Sequence, residues 1–256
     1  MTAFNAPDVQ PRPLTGEVLF EEGDFHALSP ACAGDAQFND RRLATRRKLA
    51  TIGKRAVERI GTEGVKLDTR TSLHSPNSFN HNRVRRIWAY LCRSKAEKKR
   101  LRGVLGSDLA KDLDAAYRNA YLCVAIEEDA LEISLKLRSE GWYDGQNLVN
   151  RIEREGPDEW LRLLNGLPGF RLRLHDWKGE WMCGTLTPER LKEFLGFYTP
   201  GEHALTVEQR LPAPAAARQL ALGPEIPENM LGELMKLLPL YRYAAWSKES
   251  DFLFSS

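Results

Sequence analysis

Strict alternation of apolar and polar side chains near the middle of the chain constrains the fold more than any other feature. Residues 131–137 place leucine or isoleucine at every odd position and a polar residue at every even one. Residues 121–126 are apolar on both faces, and Glu127, Glu128 and Asp129 form a polar turn between the two segments. Alternation is typical of a half-buried strand, and a doubly apolar run suits a central strand. The sequence therefore predicts an antiparallel hairpin inside a sheet.

Helical and extended patterns alternate along the rest of the chain. Thr187 and Pro188 have the residue types of an N-cap and a first helical position, and Ser107 can restart a helix after Gly106. Further strands are predicted at 65–73, 84–92, 170–174, 181–183 and 204–211, and helices at 40–60, from Lys95, at 144–155, after Thr187 and from Pro227 to Pro239. The predicted fold is α+β, with a mostly antiparallel sheet of about five to seven strands and helices on one face.

Three parts of the chain differ in composition. Residues 1–37 are rich in proline, glycine and acids, and we interpret them as an extended N-terminal arm. Residues 38–211 hold the predicted α+β core domain. Residues 212–256 combine a Pro/Ala-rich connection, a C-terminal helix and an aromatic tail. Such a tail either packs on its own core, as we expect here, or binds a protein partner, which would make the chain an interaction subunit of a larger assembly.

The cysteines and the apolar content exclude several classes of protein. Cys32, Cys92, Cys123 and Cys183 form no CxxC pair, which predicts buried free thiols and neither a metal site nor a cofactor. The N-terminal residues contain no apolar signal-peptide core, and the apolar runs are shorter than a membrane span, so we expect a cytoplasmic protein without a membrane partner. The chain contains no P-loop, GxGxxG, GxSxG or HExxH motif.

Charge asymmetry gives the main indication of function. Residues 38–103 contain 19 Lys and Arg but 5 Asp and Glu, a net charge of +14 within a chain whose net charge is +2. If the three groups of cations share one surface, that surface would attract a phosphate backbone. We therefore predict a non-enzymatic binding protein for nucleic acid or a ribonucleoprotein. The predicted contacts are Arg47, Lys48, Lys54, Arg55, Arg59, Arg83, Arg85, Arg86, Arg93, Lys95, Lys98, Lys99, Arg100 and Arg102.

Other interpretations of these cations stay open. They can form a solvated surface balanced by acids elsewhere in the fold, or they can bind a smaller anion or an acidic protein. The basic block contains few aromatic residues, namely Phe79, Trp88 and Tyr90. We expect two of the three to lie in the core, which gives base stacking little support.

A polar loop between two predicted strands offers the enzymatic alternative. Residues 74–83 contain His74 and His81, three asparagines and Arg83. Histidine can act as an acid or base near neutral pH, and arginine can hold a phosphate, so a phosphate-substrate hydrolase is one interpretation and an ordinary loop the other. Glu132 and Lys136 share a strand face, but their spacing differs from the acid-x-lysine pattern of metal-dependent nucleases. Whether the chain is an enzyme is left open by the sequence.

Overall fold

A computed structural model describes residues 18–73, 83–111, 113–174, 179, 181–213 and 223–254. Its helices are α1 (Glu22–His26), α2 (Asn39–Thr62), α3 (Lys95–Leu109), α4 (Trp142–Glu155), α5 (Asp158–Asn165), α6 (Pro188–Phe197), α7 (Ile226–Lys236) and α8 (Leu238–Ala244). Its strands are β1 (Leu67–Leu73), β2 (Arg86–Arg93), β3 (Tyr121–Glu127), β4 (Ala130–Leu137), β5 (Arg171–Leu174), β6 (Trp181–Met182) and β7 (Leu205–Pro212).

The strands form one antiparallel sheet in the order β1-β2-β3-β4-β7-β5-β6. The predicted hairpin is β3 and β4, in which Leu131 pairs with Ile126 and Leu135 with Leu122. Strand β7, late in the chain, lies between β4 and β5. The α+β prediction with a mostly antiparallel sheet is confirmed.

Alternation along the strands separates the two faces of the sheet. The apolar face includes Ile87, Val124 and Ile133, which are 0% exposed and belong to the main core with residues of α2 and α7. Helix α2 lies so close to this face that a methyl group added at Gly53 would be 2.6 Å from the Thr69 hydroxyl. The opposite face carries the remaining side chains of the strands, which are mostly polar, and we call it the polar face.

Part of the N-terminal segment is folded rather than extended. Residues 18–37 include helix α1, and Val18 and Phe20 are buried in the main core. The buried Asp24 carboxylate in α1 forms ion pairs with Lys48 at 2.6 Å and Arg41 at 2.9 Å, both on α2. This part of the predicted arm therefore packs on the body of the protein, because its few apolar residues and one carboxylate have partners there. Residues 1–17 lie outside the described residues.

The described C-terminal residues pack on the core of the same chain. Helix α7 ends at Lys236, and Pro239 lies in the first turn of α8, where a missing N–H is tolerated. Tyr241, Tyr243 and Trp246 are buried, whereas Phe254 is exposed. The aromatic tail thus supplies core side chains to its own chain.

A buried ion pair fixes the C-terminal segment to the sheet. Arg93 at the end of β2 contacts the Asp144 carboxylate on α4, and both side chains are almost fully buried. Asp144 also accepts hydrogen bonds from the backbone N–H groups of Ala120 at 2.6 Å and Trp246 at 2.8 Å. One carboxylate therefore joins β2, the segment before β3, α4 and the chain after α8.

None of the described helices is both long and apolar enough to cross a membrane.

Candidate nucleic-acid interface

The cations identified in the sequence do not all lie on one side of the sheet. Helix α2 packs on the apolar face, so its exposed Arg47 and Lys54 project from the helical layer. Arg86 is on the polar face, because its neighbour Ile87 faces the core and side chains alternate along a strand. The sheet therefore separates Arg86 from the cations of α2, so the predicted contacts do not form one set on one side.

Several of the predicted contact residues already have partners within the protein. Lys48 pairs with Asp24 at 2.6 Å, and Arg59 pairs with Glu228. Arg93 is buried against Asp144. Lys98 is 4% exposed and donates a hydrogen bond to the Asp114 carbonyl at 3.4 Å, and Arg55 is half-buried with Glu58 at 3.3 Å. The exposed members of the set are Arg47, Lys54, Arg83, Arg85, Lys95, Lys99, Arg100 and Arg102.

The histidine loop stays a prediction. His74 and His81 lie outside the described residues. Arg83 is exposed at the start of the described segment, where the N–H of Val84 donates to the Ala33 carbonyl at 2.8 Å. The hydrolase hypothesis, which needs His74 and His81 beside Arg83, therefore also stays a prediction.

A groove of about 410 Å³ lies on the polar face. It is lined by side chains from β2, β3 and β4, by a residue just before β3 and by two residues just after β4. We call this the polar-face groove, and its lining residues are Arg86, Trp88, Tyr117, Tyr121, Lys136, Arg138 and Glu140. Three aromatic and three cationic side chains thus surround one depression with a single carboxylate.

The strand register explains why these side chains meet. Tyr121 on β3 pairs with Lys136 on β4, and Trp88 on β2 pairs with Ala125 on β3. The residue opposite Trp88 is therefore Ala125, which has a small side chain and is 0% exposed. Residues that are far apart in the sequence therefore become neighbours on one face.

Trp88 and Tyr90 are not core residues, contrary to the expectation from the sequence. Both are half-buried on the polar face. The Tyr90 ring packs edge-on against Tyr121, with 6.2 Å between ring centroids, and the Arg86 guanidinium lies 5.9 Å from the centroid of Trp88. Tyr117 is 45% exposed. The groove therefore presents aromatic side chains next to positive charge.

Glu132 organises the charges of the polar face. Its carboxylate is 2% exposed and contacts Arg86 at 2.6 Å and Lys136 at 2.8 Å, and it accepts a hydrogen bond from the Ser134 hydroxyl at 2.6 Å. Burial alone would raise the pKa of Glu132, but the charges and hydrogen bonds of Arg86 and Lys136 outweigh burial and hold that pKa well below its usual range. Glu132 is therefore ionised at neutral pH and holds two cations beside the groove.

Additional ion pairs extend this arrangement along the sheet. Arg210 on β7 contacts Glu127 at 2.8 Å and Asp129 at 3.0 Å. Glu208, which is 4% exposed, holds Arg171 at 2.8 Å and Arg173 at 2.9 Å. The polar face thus carries long cationic side chains paired with carboxylates, of which Glu132 and Glu208 are buried. Arg138, 44% exposed, is the least constrained cation of the groove.

Sequence reasoning missed Tyr117, Tyr121, Lys136 and Arg138 as a group. The available signal was the alternation itself, which places Lys136 and Arg138 on the polar side of β4. Tyr121 was hidden in a run that is apolar on both faces. Tyr117 lies in a short 3-10 helix, Ala116–Arg118, whose position only the fold defines.

The described residues contain no cluster of three or more His, Cys, Asp or Glu side chains that could hold a metal ion. The four cysteines are buried and free. No model of a known protein family matches the chain, and no curated protein sequence shows significant similarity to it.

Proposed function

We propose that this protein binds single-stranded nucleic acid, with bases on the aromatic side chains of the polar-face groove and phosphates at its cations. The observation that carries the proposal is the juxtaposition of Trp88, Tyr117 and Tyr121 with Arg86, Lys136 and Arg138 around one groove. The proposal keeps the ligand class predicted from the charge of residues 38–103. It moves the contact surface from the three groups of cations to the polar-face groove, where Arg86 is the one predicted contact among the lining residues.

Stacking is the interaction that this groove can supply most readily. Every base has a flat π-face, and stacking on an aromatic side chain contributes about 1–3 kcal/mol per base. Trp88 and Tyr121 are half-buried, so their rings are held by neighbours while part of each surface stays accessible. Little side-chain entropy is then lost when a base packs on them.

The cations of the groove have unequal roles in this proposal. Arg86 and Lys136 are held by Glu132, so much of their charge is already neutralised. Arg138 is paired with Glu140 only at 3.8 Å, and it is the cation with most freedom to approach a phosphate. The exposed cations of α2 add a long-range attraction that speeds encounter without forming the site.

Fluorescence anisotropy of a short labelled oligouridylate tests the proposal. Trp88→Ala removes one stacking surface, so we expect an affinity loss of roughly 5- to 150-fold, equivalent to about 1–3 kcal/mol. The matched control is Phe197→Ala, which removes an exposed aromatic side chain from α6, outside the groove. It should bind like the unmodified protein.

A second pair of variants distinguishes the groove from the cations of α2. Arg138→Ala should weaken binding, and the double variant Arg47→Ala/Lys54→Ala should mainly slow association. Because few phosphates are engaged, log affinity should fall with log salt by only about 0.7 for each phosphate contacted. The proposal is refuted if the protein does not bind the oligonucleotide at low salt, or if the α2 variant abolishes binding while Trp88→Ala and Arg138→Ala leave it unchanged.

A further inference from the structure

A second cavity, of about 510 Å³, lies where β1 begins, β2 ends and α3 starts. Residues of α8 and of the chain after it close the other side. We call it the α3 cavity. It shares no lining residue with the polar-face groove. Arg86 and Arg93 lie at opposite ends of β2, about 23 Å apart at the rise of an extended strand, so the two sites are separate.

The floor and the rim of the α3 cavity differ in chemistry. Tyr241 and Trp246 are 5% and 2% exposed and form an aromatic floor together with the buried Arg93. Lys66 and Arg242 are exposed at the rim, and the side chain of Arg100 is 63% exposed. A ligand with an apolar body and a charged end would match both parts.

The rim keeps an excess of positive charge. Glu97 and Glu249 also line the cavity, but Glu97 is paired with Arg100 at 2.8 Å, and Lys66, Arg100 and Arg242 outnumber the two acids. Helix α3 begins at this rim and is already capped there, since the Lys95 N–H donates to the Asp68 carboxylate at 3.1 Å and the Glu97 N–H to the Ser94 hydroxyl at 3.3 Å. The positive charge of the rim therefore comes from its side chains.

We infer that the α3 cavity binds a small organic phosphate monoester, with the phosphate at the rim formed by Lys66, Arg100 and Arg242 and the organic part over Tyr241 and Trp246. The volume lies within the range of about 300–1,000 Å³ that is usual for small-molecule sites. The inference does not depend on nucleic-acid binding, because it involves other residues at the other end of β2.

Isothermal titration calorimetry with AMP, adenosine and inorganic phosphate tests this inference on the full chain. AMP should bind more tightly than either fragment, because the site offers both a rim for the phosphate and an apolar floor. Lys66→Gln/Arg100→Gln should weaken AMP binding about tenfold or more, since two charged donors are removed. Lys99→Gln/Arg102→Gln removes the same charge from exposed positions of α3 that do not line the cavity, and it should leave the affinity unchanged.

Three results would overturn the inference. One is the absence of AMP binding to the unmodified protein at millimolar concentration. Another is equal affinity for AMP and adenosine, which would show that the phosphate is not recognised. The third is AMP binding that survives Lys66→Gln/Arg100→Gln but is lost in Trp88→Ala, which would place the nucleotide in the polar-face groove and leave the nucleic-acid proposal standing.

Discussion

Replacing Asp144 by asparagine should destabilise the protein more than any surface substitution. The Asp144 side chain is 0% exposed and that of Arg93 is 4% exposed, so the variant leaves the Arg93 charge buried without a counterion. Breaking a buried pair in this way costs about 3–5 kcal/mol. The new amide must also turn its NH₂ group toward a backbone donor, either Ala120 or Trp246, which costs about another 1–3 kcal/mol.

This loss is large relative to the free energy of unfolding of a typical domain, about 5–15 kcal/mol. Urea unfolding followed by circular dichroism measures it directly. Glu128→Gln, at the exposed tip of the β3–β4 hairpin, is the control and should change stability by less than about 0.5 kcal/mol.

A double-mutant cycle separates the unpaired charge from other effects. Adding Arg93→Met to Asp144→Asn removes the stranded cation, so the double variant should be more stable than the sum of the single effects predicts, by at least about 2 kcal/mol. An Asp144→Asn variant within about 1 kcal/mol of the unmodified protein, or strictly additive single effects, would refute the reasoning.

Three further predictions concern other parts of the fold. Because the folded pKa of Glu132 lies below its unfolded value of about 4.3, its ionised form stabilises the protein above that pH, and this contribution is lost as the pH falls further. Urea unfolding should therefore show a smaller loss of stability between about pH 6 and pH 3 for Glu132→Gln than for the unmodified protein. Gly53→Ala should lower the thermal midpoint, since the added methyl would lie 2.6 Å from the Thr69 hydroxyl, at a cost of about 1–3 kcal/mol. Gly61→Ala is the control on the same helix. The methyl group added there would have no neighbouring atom within 4 Å, so this variant should raise the midpoint. Burial raises the pKa of the Cys183 thiol to about 12, so this thiol should react with Ellman's reagent only after unfolding, and rapid labelling of the native protein at Cys183 would contradict the buried position.

Local sequence pattern predicted the elements well where one physical signal dominates. The period-two pattern of residues 131–137 matches β4, and the Thr187-Pro188 pair begins α6, where Thr187 accepts a hydrogen bond from the Arg190 N–H. The predicted restart of a helix after Gly106 coincides with a break in α3. The φ angle of Gly106 there is +80°, a conformation that glycine adopts without strain. Each of these signals acts within a few residues.

The candidate site was harder to predict because it depends on which face of the sheet a residue occupies. Trp88 and Tyr90 belong to residue types that are usually buried. Alternation places them on the other face of β2 from Ile87 and Ala89, but which of the two faces is covered depends on the packing of α2. The +14 charge of residues 38–103 is correct as a sum, but it is divided between the two sides of the sheet and partly neutralised by distant acids. Net charge along a chain does not contain that spatial information.

The position of β7 has a consequence for the order of events during synthesis. Among the described strands, hairpin β5–β6 joins the sheet only through β7, which begins at Leu205, well after the hairpin ends at Met182, and β4 shares the same partner. Until residues 205–212 leave the ribosome, both β4 and β5 present unpaired edges, of the kind that invites pairing with other chains. A nascent or truncated chain ending before Leu205 should therefore need a chaperone to remain unaggregated, whereas addition of one eight-residue strand completes the sheet.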